Sequence, residues 1–334
     1  MSTALDVHGL TKHFPVTRRH RVHAADDVSF TLHPGTITAL VGESGSGKST
    51  VARILAKLHD PTDGTVVFEG KDATRARGRR EVLRYRSQVQ MIFQDPFGSL
   101  NPVKTVRHHL ERPLRIHGIV PRREVRARVH ELLDSVGLVP AEKFAPKYPH
   151  ELSGGQRQRV AIARALAVEP KVLLADEPVS MLDVSIRIGI LNLMLKLKEE
   201  RDLAFLYVTH DIASARYVAD EMLVMYAGQI VEQGPTDAVL HEPLHPYTQL
   251  LVSAVPDPGT GLHKSRIPMR QGLAAAAVDP PEGCRFVERC PLAIDVCSRI
   301  TPELVEARPA QAARCHVTAP APSIREETRV HHLH

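Results

Sequence analysis

The sequence predicts an α/β fold built around a parallel sheet, and three observations support that prediction. An apolar run, Ile37–Val41, leads into a glycine-rich loop that is followed by apolar residues at helical spacing. Two later apolar runs, at residues 172–175 and 203–208, are separated by a segment with a helical apolar face, and this order implies parallel strands. With 43% hydrophobic and 24% charged residues, the composition is that of an ordinary globular protein, and 334 residues suggest about two domains.

Further strands flank the glycine-rich loop. Residues 5–10, 28–32 and 65–68 have strand-like patterns, and the last of them follows an expected turn at Asp63-Gly64. We expect these strands to form an antiparallel β-subdomain beside the parallel sheet.

The rest of the chain divides into a helical insertion and a tail. Residues 95–160 are helical in pattern and charged, with proline and glycine breaks, which predicts an inserted helical subdomain. Thirteen of the 25 prolines lie in the last hundred residues, so the composition changes near residue 234. We therefore predict a first domain at residues 1–234 and a loop-rich C-terminal extension at residues 235–334.

Composition and charge argue against several functions. The net charge of +5 is spread over basic clusters, at residues 75–80 and 122–128, that are mixed with other residue types, as on solvated helix faces. Trp is absent and aromatic residues make up 4%, so we expect no nucleic-acid partner. We also expect neither a membrane span nor a secretion signal. The four cysteines all lie after position 283, which is unlike a secreted disulfide framework, so the cytoplasm is the expected compartment.

The glycine-rich loop has the composition of a phosphate-binding loop. Its glycines allow backbone N–H groups to approach phosphate oxygens, its lysine adds a positive charge at the β- and γ-phosphates, and its serine offers a hydroxyl to Mg²⁺. The residues expected to bind nucleotide here are Gly42, Ser44, Gly45, Gly47, Lys48, Ser49 and Thr50.

Further polar motifs follow the loop in a characteristic order. They are Gln94, then Ser153, Gly154, Gly155 and Gln156, then Asp176 and Glu177, then Asp183 and finally His210. In this order the chain resembles the ATP-binding subunits of ABC transporters over residues 5–234, with their Walker A, Q-loop, signature, Walker B, D-loop and H-switch. The resemblance implies a P-loop NTPase (RecA-like) core and an ATPase activity.

The resemblance also assigns roles within one chain. Lys48, Glu177 and His210 would be catalytic, with Glu177 polarising the attacking water and His210 binding the γ-phosphate. Mg²⁺ would be held by Ser49, Gln94 and Asp176, and Gln94 would also report the γ-phosphate to partner subunits.

Other roles concern the nucleotide's base and a second subunit. Phe14 falls where the family stacks an aromatic ring on adenine, although packing beneath the sheet is an alternative for this residue. Residues 153–156 would close over ATP held by the opposite subunit of a head-to-tail dimer, and Asp183 of the D-loop is also expected among the nucleotide-binding residues.

Val179 and Met181 stand where the family more usually has Thr and Ala. Because Glu177, His210 and residues 153–156 are intact, no feature indicates a subunit that has lost hydrolysis.

The tail resembles the oligopeptide/dipeptide class of importer ATPases. The resemblance rests on residues 245–251, His-Pro-Tyr-Thr-Gln-Leu-Leu, and on residues 94–102, Gln-Asp-Pro-Phe-Gly-Ser-Leu-Asn-Pro. It implies a peripheral subunit on the cytoplasmic face of the membrane, working with two permease subunits, an external solute-binding protein and a second ATPase, either a sibling or an identical copy. Residues 94–110 would receive a cytoplasmic helix of the permease.

The cargo stays open at this point. Peptides are expected from the class, with oligosaccharides, nickel or glutathione as alternatives. A soluble ABC ATPase acting on nucleic acid or ribosomes is the alternative from another class, but the chain has neither a long coiled-coil insertion nor a second cassette.

Cys284, Cys290, Cys297 and Cys315 also match this importer class, in which some members hold a [4Fe–4S] cluster. Zinc is a second interpretation, although short C-x₂-C pairs are missing, and four reduced thiols without metal are a third.

Overall fold

The computed structural model describes residues 3–254, 278–280 and 282–322, and two sheets frame this part of the chain. The strands are β1 (Leu5–Pro15), β2 (Arg21–Leu32), β3 (Ile37–Val41), β4 (Asp63–Phe68), β5 (Lys71–Asp72), β6 (Val89–Ile92), β7 (Val172–Asp176), β8 (Ala204–Thr209), β9 (Glu221–Tyr226), β10 (Gln229–Pro235), β11 (Val305–Arg308) and β12 (Gln311–Ala313). The helices are α1 (Lys48–Leu55), α2 (Arg79–Gln88), α3 (Pro96–Ser99), α4 (Val106–His117), α5 (Val125–Ser135), α6 (Ala141–Phe144), α7 (Gly154–Leu166), α8 (Val184–Arg201), α9 (Ile212–Val218), α10 (Thr236–His241) and α11 (Pro246–Ser253).

The larger sheet has eight strands in the order β11-β12-β10-β9-β3-β8-β7-β6. The five strands from β9 to β6 are parallel, which confirms the predicted α/β core, and the other three add an antiparallel edge. The two faces of the sheet enter different buried clusters, since Ile37 and Val41 pack in one and Leu40 in the other. Burial on both faces of the sheet explains why the predicted runs are mostly apolar and do not alternate between apolar and polar residues.

The parallel strands place three loops at one edge of the sheet. Val41 at the end of β3 is paired with Thr209 at the end of β8, and Asp176 at the end of β7 is paired with Val208. Segments that leave the carboxyl ends of neighbouring parallel strands meet in space. The phosphate loop, Glu177 and His210 therefore emerge side by side.

The smaller sheet is antiparallel, in the order β2-β1-β4-β5, and its strands are longer than predicted. The turn predicted at Asp63-Gly64 is wrong, because both residues belong to β4 and Asp63 is paired with Thr11 of β1. Gly64 has φ +87°, and a side chain there would meet the carbonyl oxygen of Gly9 at 2.4 Å. This glycine thus permits the close approach of two strands.

Helices α3 to α7 lie between β6 and β7 in the chain. Helices α4, α5 and α7 pack on one another through buried apolar residues such as Leu110, Val129 and Val160. In the described residues, no helix is both long and apolar enough to cross a membrane.

The tail contributes more regular structure than its proline content suggests. After β10 come α10 and α11, and later residues supply β11 and β12, which continue the eight-stranded sheet. Within the predicted extension, residues 255–277, 281 and 323–334 lie outside the described residues.

Candidate active site

The phosphate loop, residues 42–50, starts where β3 ends and continues into the first turn of α1. Gly42 has φ +153° and Gly47 has φ +107°, and side chains there would meet the carbonyl oxygens of Met225 at 2.1 Å and Ala24 at 1.9 Å. Gly45 has φ +83°, and a side chain there would meet no atom within 4 Å. Gly42 and Gly47 therefore let the loop pack closely against the backbone of the protein, whereas Gly45 faces open space. The N–H groups at the start of α1 favour an anion there.

The ammonium group of Lys48 is held by the loop itself. Its Nζ donates to the carbonyl oxygens of Gly42 and Glu43, both at 2.8 Å, and to Ser46 Oγ at 3.3 Å. Burial lowers the pKa of Lys48, against the opposing effect of the nearby carboxylates of Glu177 and Asp176. All three donors of the ammonium are engaged, so a phosphate must replace at least one of these acceptors.

Ser49 and Asp176 form an oxygen pair beside the loop. Ser49 Oγ donates to Asp176 Oδ1 at 2.7 Å, and the aspartate lies at the end of β7, 3% exposed. Burial raises the pKa of Asp176, while the Ser49 hydrogen bond lowers it. A hydroxyl and a carboxylate in contact are hard oxygen donors, which suit Mg²⁺.

Glu177 lies between two predicted site residues. Gln94 Nε2 donates to Glu177 Oε2 at 3.1 Å, and His210 Nδ1 contacts Glu177 Oε1 at 2.9 Å. The Glu177 backbone has φ +46°, in the left-handed region, and its carbonyl accepts from Ser180 Oγ at 3.0 Å. A non-glycine residue there costs about 1 kcal/mol or more, so the surrounding contacts fix an unusual conformation.

The contact with Glu177 restricts the protonation of His210. A carboxylate can only accept, so His210 Nδ1 carries the proton in this pair. The other ring nitrogen can donate to a phosphate only if the imidazole is also protonated there. Otherwise His210 must exchange Glu177 for the phosphate.

The predicted signature residues lie at the start of α7. Ser153 is the N-cap, with its hydroxyl accepting from Gln156 N at 3.3 Å while Gln156 Oε1 accepts from Ser153 N at 3.1 Å. A side chain at Gly155 would meet Ile186 of α8 at 2.4 Å. In the described residues no hydrogen bond joins this motif to the phosphate loop. The motif is therefore a pre-capped helix terminus outside the cluster around Glu177.

Two other predicted residues also lie outside that cluster. Asp183 is exposed at the start of α8. Phe14 lies in β1, partly exposed and in neither large buried cluster, with the Lys12 ammonium 5.0 Å from its ring centroid and the His59 ring edge-on at 5.6 Å.

A set of contacts on Glu43, the second residue of the loop, was not predicted from the sequence. Its N–H donates to Tyr247 Oη at 2.8 Å, and both of its carboxylate oxygens accept from Arg289, at 3.1 and 3.2 Å. Tyr247 belongs to a segment that the sequence singled out, but a spacing of more than 200 residues gives no pairing signal.

The four cysteines lie in one region, and three of them belong to residues 283–297, the cysteine segment. Cys290, Cys297 and Cys315 are buried, and Cys284 N–H donates to the Cys297 carbonyl at 2.7 Å. Burial raises the pKa of Cys284 to about 12, and the other three thiols add to that effect. Among the described residues, only His13, His23 and Asp26 form a three-ligand group with atoms within 4.8 Å of one another. The thiols are thus neighbours but not tightly clustered.

In this parallel sheet β3 runs into a phosphate loop, and β7, which is separated from β3 by β8, ends in the carboxylate pair of Asp176 and Glu177. This arrangement defines a P-loop nucleoside triphosphatase. The sequence matches the family described as ABC transporter over residues 25–180. It also matches the oligopeptide/dipeptide transporter C-terminal region over residues 231–297. The chain belongs to the ATP-binding subunits of ABC transporters and is an ABC-type transport ATPase.

Two similar sequences cover nearly the whole chain, and two similar solved structures cover about 70% of it. The probable peptide ABC transporter ATP-binding protein y4tS of Sinorhizobium fredii is 44% identical, over 96% of this chain and 92% of its own. The oligopeptide transport ATP-binding protein AppF of Bacillus subtilis is 42% identical, over 94% and 97%. Among solved structures, cbiO1 from Clostridium perfringens has a TM-score of 0.63 and 29% identity, over 72% of this chain and 92% of its own. The cassette MJ0796, a dimer in a post-hydrolysis state with ADP and Pi, has a TM-score of 0.62 and 33% identity, over 70% and 98%.

Proposed function

We propose that this chain couples ATP binding and hydrolysis to the uptake of peptides through partner permease subunits. The observation that carries the proposal is the cluster at the carboxyl edge of the sheet, where the Ser49–Asp176 pair lies beside Glu177 in contact with Gln94 and His210. Peptides are the proposed cargo because the relatives named above are described as peptide or oligopeptide transport proteins.

In this proposal the loop binds the triphosphate and Lys48 exchanges loop acceptors for phosphate oxygens. Ser49 and Asp176 would hold Mg²⁺, and Gln94, which is hydrogen-bonded to the adjacent Glu177, would be a further ligand. The cation would neutralise charge on the β- and γ-phosphates. Thr50 and Ser44 belong to the same loop and add hydroxyl groups around the nucleotide. Phe14 would stack on the adenine from its partly exposed position in β1.

For hydrolysis, Glu177 acts as the general base on the attacking water. Its two oxygens accept from Gln94 and His210, so the carboxylate is oriented before water arrives. When phosphate binds, His210 moves its donor to the γ-phosphate and frees one Glu177 oxygen for the water proton. The unusual Glu177 backbone holds the side chain at the end of β7 for this task.

The active form in this proposal is a head-to-tail dimer with an identical or sibling ATPase. The capped α7 terminus at residues 153–156 would lie against ATP on the partner chain, where its N–H groups favour phosphate. Asp183 and the neighbouring apolar side chains Met181 and Val184, 57% and 72% exposed, would be covered by the same contact. MJ0796, with which this chain shares its fold, is described as a dimer.

A groove beside α4 is proposed to receive a cytoplasmic helix of the permease. It encloses about 700 Å³ and is lined by residues from the predicted docking segment and from α4 and α7. Lys104, Arg112 and Arg164 line it, with no Asp or Glu among the described residues of its wall. Burial lowers the pKa of His109 and of His117, so both are neutral at pH 7. The groove therefore suits a helix with acidic side chains. The complete transporter would place this subunit at the cytoplasmic face of the membrane and would also include an external solute-binding protein.

Reversing the charge of this groove tests the coupling. The double variant Lys104→Glu/Arg112→Glu is expected to reduce peptide uptake by about tenfold or more, because like charges at an interface oppose binding. ATP affinity should stay at the wild-type value, since both side chains are exposed and distant in sequence from the phosphate loop. ATP-driven uptake into proteoliposomes containing the whole transporter measures the first effect and nucleotide titration the second.

Arg126→Glu, at an exposed position on α5, is the matched control and should leave uptake unchanged. Wild-type uptake by the double variant would contradict the docking assignment. An assembled wild-type transporter that imports no peptide would contradict the proposed cargo.

We also propose that the four cysteines hold a [4Fe–4S] cluster. Four thiols in one largely buried region fit that group, because a cluster binds each thiolate through a different iron. A single tetrahedral zinc, with Zn–S bonds of about 2.3 Å, would need a tighter group than the described cysteines form. When bound, the cluster would stabilise the deprotonated form of the four thiols through Fe–S bonds and cross-link the cysteine segment to Cys315.

Metal analysis of anaerobically purified protein tests this assignment. The wild-type chain is expected to contain about four iron and four sulfide per chain, and Cys290→Ser substantially less. Zinc without sulfide would favour the single-ion alternative. Neither iron nor sulfide after reconstitution would contradict the cluster.

A further inference from the structure

Arg289 connects the cysteine segment to the phosphate loop. Its two terminal nitrogens contact the two carboxylate oxygens of Glu43 at 3.1 and 3.2 Å, the paired geometry in which arginine binds carboxylates most strongly. The Arg289 side chain is 17% exposed and that of Glu43 is 37% exposed. This contact raises the pKa of the Arg289 guanidinium, so the positive charge of the pair is retained.

Glu43 is fixed at three points. Besides the contact with Arg289, its N–H donates to Tyr247 Oη and its carbonyl accepts from Lys48 Nζ, both at 2.8 Å. A continuous series of contacts thus runs from Arg289 through Glu43 to the ammonium of Lys48. The Glu43 side chain is not among the predicted phosphate contacts. The effect of this series of contacts is therefore to fix the position of Glu43 within the loop.

Arg289 and the residues just before it in the cysteine segment pack on the core. Its guanidinium lies 5.6 Å from the ring centroid of Phe286 and 5.8 Å from that of Tyr226. Phe286 is 1% exposed, and its ring contacts Tyr226 and Tyr247 at centroid distances of 5.2 and 5.6 Å. Arg285, one residue earlier, donates to the carbonyl of Ala227 and to Asp26. The position of Arg289 is therefore fixed by the buried ring of Phe286 and by the hydrogen bonds of Arg285.

We propose that Arg289 is a positioning residue for nucleotide binding, which acts through Glu43 to hold the phosphate loop in its binding conformation. A loop with three glycines at positive φ has many accessible conformations when unrestrained, and ordering it would oppose binding. The Arg289–Glu43 contact removes part of that cost before ATP arrives. This inference rests on the proposed ATPase function and adds the tail of the chain to its nucleotide site.

A double-mutant cycle on the full chain tests the inference. Arg289→Gln is expected to raise the Kd for ATP by about three- to tenfold, with a matching rise in KM and an unchanged kcat at saturating ATP. In a Glu43→Gln background, Arg289→Gln should add no further loss, because Arg289 acts through Glu43. Arg299→Gln, at an exposed arginine just after the cysteine segment, is the matched control and should leave Kd unchanged.

Thermal unfolding of each apo variant separates positioning from general stability. A merely structural role would lower Tm and the fraction of binding-competent protein, while the folded fraction kept the wild-type Kd, and this result would overturn the inference. Equal Kd values for wild type and Arg289→Gln, or losses that add in the double variant, would overturn it too. A wild-type chain that binds no ATP would instead overturn the proposed function, and the inference with it.

Discussion

Replacing Glu177 with glutamine is expected to lower the ATPase rate at saturating ATP by about 10²- to 10⁴-fold, the usual contribution of a general base. ATP affinity should be retained. Glutamine has nearly the same shape and can occupy the same backbone conformation, but its amide cannot accept the proton of the attacking water. Of the two donors that contact this side chain, Gln94 and His210, one would face the new NH₂ group.

The Glu177→Gln variant should also accumulate as an ATP-bound dimer, because closure by ATP no longer leads to hydrolysis. Single-turnover hydrolysis measures the rate, and light scattering with and without Mg-ATP measures the dimer. Glu199→Gln, on the exposed side of α8, is a control for the loss of one negative charge. Wild-type turnover by Glu177→Gln would show that another group is the base.

The second large effect is expected for Lys48→Ala, which should raise the Kd for ATP by about 10- to 100-fold. The ammonium would make charge-assisted hydrogen bonds to phosphate, each of which contributes about 1.5–3 kcal/mol. The variant also leaves the carbonyl oxygens of Gly42 and Glu43 and the hydroxyl of Ser46 without their lysine donor. We therefore expect some loss of apo stability as well as of affinity.

Nucleotide titration at a temperature well below the Tm of the variant separates these two effects. Lys196→Ala removes an exposed lysine from α8 and should change neither quantity. The two variants should differ in their response to ATP concentration. A high ATP concentration should restore part of the ATPase rate of Lys48→Ala, because its defect is in binding, but not that of Glu177→Gln. Equal ATP affinity of Lys48→Ala and wild type would contradict the role of this lysine.

The parallel core could be predicted because its signals are local. A run such as Ile37–Val41 is buried on both faces of the sheet, so it is apolar except for Thr38, and the loop that follows has a composition tied to its geometry. The order of the strands in the sheet could be predicted only in part, because strands that are consecutive in the chain, such as β3 and β4, need not be neighbours in one sheet. The order of Gln94, Glu177 and His210 along the chain could be read directly, and the parallel pairing of β6, β7 and β8 brings the segments that carry them to one edge of the sheet.

The contacts of the tail could not be predicted in the same way. Arg289 and Glu43 are separated by 246 positions, and an arginine in a proline-rich segment has no pattern that names its partner. Strands β11 and β12 have four and three residues, too few for a clear alternation. The positive φ of Glu177 also has no local signal, because it results from the contacts made after β7. At Gly64 the local rule favoured a turn, but the approach of β1 decided the conformation.

The pairing of β12 with β10 links the order of synthesis to the completion of the fold. Glu232 and Gln233 of β10 are paired with Ala313 and Ala312, and the buried Glu232 carboxylate accepts from Gln311 Nε2 at 2.9 Å. While a ribosome adds the roughly 80 residues between these partners, at about 5–20 residues per second, the nascent chain has an open strand edge for about 4 to 16 seconds. The emerging polypeptide thus spends that interval with an incompletely hydrogen-bonded carboxylate and with a strand edge that is open to mispairing.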